Sequence, residues 1–321
     1  MPIDERAVGS SVPVTRTVEV DGVPMSGLRC EATDPRAVIV ALHGGGTTCA
    51  YWDCPGHPRL SLMRTAAAAG FTVLALDRPG YGSSAPYRDA MSEPQRRVDV
   101  TYAAIDKHLG SLPRGAGMFV WAHSIGCELA VRLATDERGR DLLGIELSGT
   151  GLEYHPTAHG VIGNGAQKPP GDRVRGLIWG PNRLYPAELI GSAAIASGGA
   201  AYEANVVPFW HRVDFPALAT QVQVPVHFTA GEHEQVWRND PDALRDIANL
   251  FTAAPRVETD RQIGGGHNLS LGYTAPAYHF RILSFVAECI VARDDPDFRN
   301  DAAAYFDSTK TDAAARPPQG R

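Results

Sequence analysis

The sequence predicts an α/β fold with a mostly parallel sheet at its centre. Three observations carry that prediction. Short runs apolar on both faces recur along the chain, as strands buried inside a sheet require. Helix-length segments separate them, the pattern of βαβ crossovers. Several of these runs end in glycine-rich turns, the kind of loop that carries function at a sheet edge.

The elements follow in order. Residues 1–12 read as a loose leader. Residues 15–20 alternate, Asp21-Gly22 is a tight-turn dipeptide, and a second strand-like run reaches Cys30, so the chain opens with a hairpin. Residues 37–42 form the first run apolar on both faces and end in His43-Gly44-Gly45-Gly46. A helix is expected over 59–69, stopped by Gly70. Residues 71–76 are a buried strand leading into Asp77-Arg78-Pro79-Gly80-Tyr81-Gly82. Then come a helix over 94–109, a strand over 118–122, a helix over 127–135 and a strand over 142–147.

The rhythm breaks after Gly151. Residues 152–222 hold helix-like pieces near 172–179, 186–196 and 202–212, parted by Gly and Pro. A loop that long without structure is uncommon in a compact domain. The segment reads as a helical cap inserted between two strands. The rhythm then resumes with a strand over 224–229, a helix over 241–251, a strand over 256–263 and a last helix over 276–291. The expected organisation is a core of residues 1–151 and 223–293, a cap of 152–222 and a frayed polar tail of 294–321.

Composition bounds the function. The chain has 321 residues, 44% hydrophobic and 21% charged, enough to bury a sizeable core. Its net charge is −6 and its pI about 6.0, so no basic face is implied and nucleic acid is not an expected partner. Five cysteines, Cys30, Cys49, Cys54, Cys127 and Cys289, fit no zinc or disulfide framework and read as reduced thiols. A Cys49–Cys54 bridge is the alternative. The first residues lack the apolar core of a signal peptide, and no apolar run approaches the ~20 residues of a membrane span. A cytoplasmic enzyme without a membrane partner is expected.

The chemistry concentrates in four turns. In Trp121-Ala122-His123-Ser124-Ile125-Gly126, a buried strand feeds a small-x-Ser-x-Gly turn that opens a helix. A sharp turn of this kind exposes the serine hydroxyl above the sheet edge, which makes Ser124 a candidate nucleophile. The bland alternative is an N-cap serine. A serine nucleophile needs a base, and the base needs an orienting acid. His267 follows the last strand behind Gly264-Gly265-Gly266 and is the expected base. Glu234, past the end of strand 224–229, is the favoured acid; Glu232 and Glu153 are the other candidates. The backbone N–H groups of Gly45 and Ile125 are assigned to an oxyanion hole. The cap carries Trp179, Tyr185, Tyr202, Phe209, Trp210 and Phe215. Of these, Phe209 and Trp210, with Trp52 from the first loop, are expected to touch substrate. The competing reading has the cap aromatics packing the cap onto the sheet. No cluster with metal-ligand spacing and no phosphate-binding glycine loop is visible, so neither metal nor cofactor is expected.

From about Val38 to Ala292 the chain resembles the α/β-hydrolase superfamily. The matching pieces are HGGG at 43–46, DRPGYGSS at 77–84, AHSIG at 122–126, GEHE at 231–234 and GGGH at 264–267. The resemblance implies eight mostly parallel strands with helices on both faces. It also implies a triad at the carboxyl edge, in the order Ser124, Glu234, His267, under a cap. The chain departs from the common pattern in having Ala122 where Gly is usual and Glu where Asp is frequent. The expected reaction is hydrolysis of a small apolar or aromatic carboxylic ester. Thioester, lactone, amide and C–C bond cleavage, cyclisation, and a non-catalytic receptor are the alternatives.

Overall fold

The structure, a computed structural model, describes residues 12–162 and 171–295. It opens with strands β1 (Val14–Val20) and β2 (Val23–Cys30). Asp21 and Gly22 both take positive φ, 49° and 78°, matching the twist of a two-residue hairpin. Next come β3 (Val38–Leu42), α1 (Leu62–Ala68), β4 (Thr72–Leu76), α2 (Pro94–Leu109), β5 (Met118–His123), α3 (Gly126–Thr135) and β6 (Gly144–Ser148). Helices α4 (Pro156–His159), α5 (Gly171–Ile178), α6 (Glu203–Phe209) and α7 (Phe215–Ala219) precede the next strand. The chain then forms β7 (Val226–Gly231), α8 (Pro241–Leu250), β8 (Val257–Gln262) and α9 (Ala275–Asp294).

The eight strands make one sheet in the order β1-β2-β4-β3-β5-β6-β7-β8. Only β2 runs against its neighbours; the remaining pairs are parallel. This is the α/β-hydrolase fold that the motifs imply. Alternation along each strand divides the core in two. Val38, Val40 and Leu42 face a layer with Val98, Ile105, Leu129, Leu133 and Ile247 from α2, α3 and α8. Ile39 and Ala41 face the opposite layer with Leu62, Ala66, Ile282 and Val286 from α1 and α9. Burying such side chains contributes about 1.5–3 kcal/mol each before the entropy of ordering is subtracted.

Several expectations are corrected. Residues 186–196 form only a short turn, Ala187–Leu189, because Pro186 precedes it and Gly191 with φ 69° breaks the chain soon after. Residues 202–212 do not end a helix at Arg212: α6 widens into a π-helical turn, Trp210–Asp214, and runs on into α7. The helix expected from 59 starts at Leu62, where Ser61 caps it by accepting the Arg64 N–H. Helix α9 is long and apolar enough, by length and composition, to cross a bilayer, contrary to the reading that no run approaches that length. Its Tyr278, Ile282, Phe285 and Val286 are buried in the core. All five cysteines are buried, and Cys49 and Cys54 form no disulfide with each other. Residues 1–11 of the expected leader and 296–321 of the expected tail lie outside the described residues.

Candidate active site

The carboxyl ends of β3, β5, β7 and β8 converge on one cavity. After β5 the chain turns at Ser124, which holds φ 54° without being glycine. That left-handed conformation is strained for an L-residue, and the surroundings enforce it. The Ser124 N–H donates to the Ser148 carbonyl at 2.7 Å. Helix α3 starts immediately at Gly126, where a Cβ would lie 2.5 Å from the His43 carbonyl oxygen. Only glycine lets these backbones approach so closely. Ala122 is fully buried, so its single methyl is accommodated at the position where glycine is usual.

The acid and imidazole loops are stitched together. The Glu232 N–H donates to the Gln262 carbonyl, and the His233 N–H to the Gly265 carbonyl, at 2.9 and 2.7 Å. Glu232 turns its carboxylate back to accept the Gly264 N–H at 2.9 Å, which holds its carboxyl below the usual range. Glu232 therefore braces the loop that carries His267. Glu153 pairs instead with Arg238 at 2.5 Å. The third carboxylate, Glu234, lies 2.9 and 3.1 Å from His267 Nδ1 through its two oxygens. Its Oε1 also accepts the Val236 N–H at 2.8 Å. His267 Nε2 lies 3.2 Å from Ser124 Oγ. With Nδ1–H donating to Glu234, Nε2 is left as the acceptor facing the serine hydroxyl. A hydroxyl, imidazole and carboxylate in this chain can pass the hydroxyl proton to the ring.

Gly45 and Ile125 border the same cavity, and a Cβ on Gly45 would lie 3.3 Å from Ile125 Cγ2. Ile125 is the N-cap of α3, and the Cys127 and Glu128 N–H groups of its first turn donate to the Ser124 and Ile125 carbonyls at 2.9 and 3.2 Å. His43 sets the loop behind Gly45. Its Nδ1–H donates to the Gly44 carbonyl at 2.8 Å, and its Nε2 accepts the Arg78 backbone N–H at 3.1 Å. Complete burial pushes its pKa well down, as befits a ring used in its neutral form. His123 is likewise driven neutral, by burial and by the neighbouring His267.

The cavity measures about 300 Å³. Ile125, Ile162, Val174, Ile178, Val207 and Val236 give it apolar walls. Of the residues expected to touch substrate, Trp210 borders it and donates through Nε1 to Thr150 Oγ1 at 3.0 Å. Phe209, one position earlier on the helix, points away and is 54% exposed. Adjacent helical residues diverge by about 100°, so one of the two has to face out. Trp52 is fully buried in the core, edge-on to Tyr51 and Trp121, and does not border the cavity. The aromatics expected of a cap divide: Trp179 borders the cavity, while Tyr185, Tyr202 and Phe215 pack onto the core.

Sequence reasoning missed Glu203, Trp237 and Asn268, which also border the cavity. Trp237 donates to the Gly149 carbonyl at 2.9 Å and stacks on Tyr154. Asn268 donates to the Ile178 carbonyl at 2.8 Å, tying the His267 loop to α5. Position after the GEHE and GGGH turns was the available signal for these two; Glu203 had none. Among the described residues no group of three His, Cys, Asp or Glu side chains is placed to hold a metal ion. A second hollow, of about 370 Å³, opens at the opposite edge of the sheet, where β6 and β7 begin.

Comparison with known proteins agrees with this architecture. Protein ABHD14A of Danio rerio is 42% identical over 66 residues, which span 21% of this chain and 22% of that relative's length. The solved structure of a monoglyceride lipase from Saccharomyces cerevisiae superposes with a TM-score of 0.65 at 15% identity, over 90% of this chain and 99% of that one. An epoxide hydrolase from Vigna radiata superposes at 0.60 and 18% identity, over 86% and 98% of the two chains. Likenesses at these identities speak to the fold, which serves more than one reaction. The sequence model described as the alpha/beta hydrolase family matches residues 39–314. The chain belongs to the alpha/beta hydrolase family.

Proposed function

We propose that this protein is a serine hydrolase that cleaves a carboxylic ester of a small apolar or aromatic substrate through an acyl-enzyme. The observation that carries the reading is the unbroken series from Ser124 Oγ to His267 Nε2 at 3.2 Å and from His267 Nδ1 to Glu234 at 2.9 Å. In this reading Ser124 attacks the carbonyl while His267 takes its proton. Glu234 fixes the tautomer and stabilises the imidazolium. The Gly45 and Ile125 N–H groups receive the developing oxyanion. His267 then protonates the leaving alcohol, and a water activated by the same ring releases the acid.

Residues 152–222 act as the cap in this account. Ser197 N–H donates to the Gly46 carbonyl at 2.9 Å and Thr48 N–H to the Ile195 carbonyl at 3.0 Å, which lays the segment beside the glycine loop. The apolar walls favour an apolar substrate group. The test is a panel of esters, thioesters, lactones and amides of graded size, assayed on wild type and Ser124→Ala. Ester turnover that vanishes in the variant is expected. Turnover confined to thioesters or amides, or retained by Ser124→Ala, contradicts the proposal.

A further inference from the structure

Glu203 occupies an unusual place for a carboxylate. It leaves the first turn of α6, and its Oε2 lies 3.3 Å from where a Cβ on Gly45 would stand. It borders the cavity that contains Ser124, with 12% of its side chain exposed. Both oxygens are pinned from behind. Arg78 Nη2 donates to Oε1 at 2.6 Å and the Tyr81 hydroxyl to Oε2 at 2.7 Å. The same Arg78 nitrogen donates to the Gly44 carbonyl at 3.1 Å. Arg78 is 1% exposed and does not border the cavity, so the carboxylate stands between the guanidinium and any bound molecule. Among the described residues bordering the cavity there is no Lys or Arg, so the cation paired with that carboxylate is Arg78, on the side away from the cavity.

We infer that Glu203 sets the charge specificity of this cavity: it admits neutral substrates and excludes those with an anionic group near the scissile carbonyl. The inference rests on the ester-hydrolase reading for the identity of the scissile bond, but not for the charge preference itself. A second negative charge placed a few ångströms from Glu203 meets like-charge repulsion in a partly desolvated site, which also disfavours the wrong ligand by design. Replacing the carboxylate by an amide leaves an acceptor for Arg78 and lets the guanidinium charge be felt in the cavity.

The experiment uses two alkyl esters of nearly one shape, dimethyl succinate and monomethyl succinate, at neutral pH, with methanol release as the readout. Wild type should prefer the neutral ester in kcat/KM by about 10- to 100-fold, and Glu203→Gln should move that ratio toward the acid by a similar factor. Equal use of both esters by wild type, or a ratio unchanged within about twofold in a folded Glu203→Gln, overturns the inference. Calorimetric binding of the same pair to Ser124→Ala, with and without Glu203→Gln, separates the two readings. A charge-dependent ratio of Kd values there supports the role of Glu203 even if neither ester is hydrolysed. Absence of any such ratio, or of any binding of the neutral ester, refutes it.

Discussion

Two of the buried carboxylate–imidazole pairs among the described residues have opposite surroundings. Glu234 and His267 come from loops and meet at 2.9 Å. Glu146 and His227 sit opposite each other on β6 and β7 and meet at 2.7 Å. What differs is the far side of each ring. His267 Nε2 faces the Ser124 hydroxyl and the cavity. His227 Nε2 faces a second carboxylate, Asp260, at 3.1 Å. Tyr278 donates to Glu146 at 2.8 Å and Trp121 donates to Tyr278 at 2.8 Å, closing that network inside the core. Burial lowers the His227 pKa, but Glu146 and Asp260 together outweigh it and raise the value to about 9. His227 is therefore held as a cation at neutral pH and cannot serve as a base. A carboxylate beside an imidazole does not make an active site; the second partner and access to a cavity decide.

Exchanging the perturbation between the pairs should produce opposite phenotypes. Glu234→Gln is expected to lower kcat by about 10⁴-fold, the scale of a triad with the wrong tautomer, with little change in unfolding midpoint. Glu146→Gln should leave kcat within a few-fold but cost about 3 kcal/mol of stability, because it breaks a buried charged pair. Steady-state kinetics and urea unfolding on both variants check this. Glu232→Gln should lie far below Glu234→Gln in its effect on kcat, because its carboxylate braces Gly264 and does not touch His267. An inactive Glu146→Gln of normal stability would erase the distinction between the pairs.

The pairs also predict a pH signature for stability. His227 has a folded pKa near 9 against about 6.5 unfolded, so its contribution is whole below pH ~6.5 and is lost as pH rises toward ~9. Buried neutral rings act in the opposite sense. His43 and His123 are pushed well down, and burial takes His279 to about 3. Their contribution is whole above pH ~6.5 and is lost as pH falls. Unfolding midpoints should therefore peak near neutrality. His227→Gln should flatten the alkaline limb and leave the acid limb in place.

A smaller effect separates two neighbours on one helix. Trp210→Ala should change the ranking of acyl or alcohol groups by about tenfold, since it removes a cavity wall, while Phe209→Ala should shift kcat/KM by less than about twofold. Similar effects of the two changes would mean that Phe209 turns inward on binding.

The legibility of the sequence follows from the range of the interactions. Strand runs, Gly70, the Asp21-Gly22 turn and the Ser124 elbow are local patterns, set by side-chain period and backbone sterics. They read correctly. Its place farther past the strand favours Glu234 over Glu232, but only the direction of each carboxylate in space tells that Glu234 touches His267 while Glu232 accepts the Gly264 N–H. Glu203 meets Arg78 across 125 positions, so no local pattern announces it. Trp52 and Phe209 show the other failing: composition says that an aromatic is present, not which way it points.

The most direct measurement of the central claim is covalent labelling of the native protein with a fluorophosphonate, followed by intact-mass and peptide mass spectrometry. The account predicts a single adduct, located on Ser124, that forms slowly or not at all in His267→Ala and is absent from Ser124→Ala. Labelling at another residue, or no labelling of wild type under conditions that modify a control serine esterase, contradicts it.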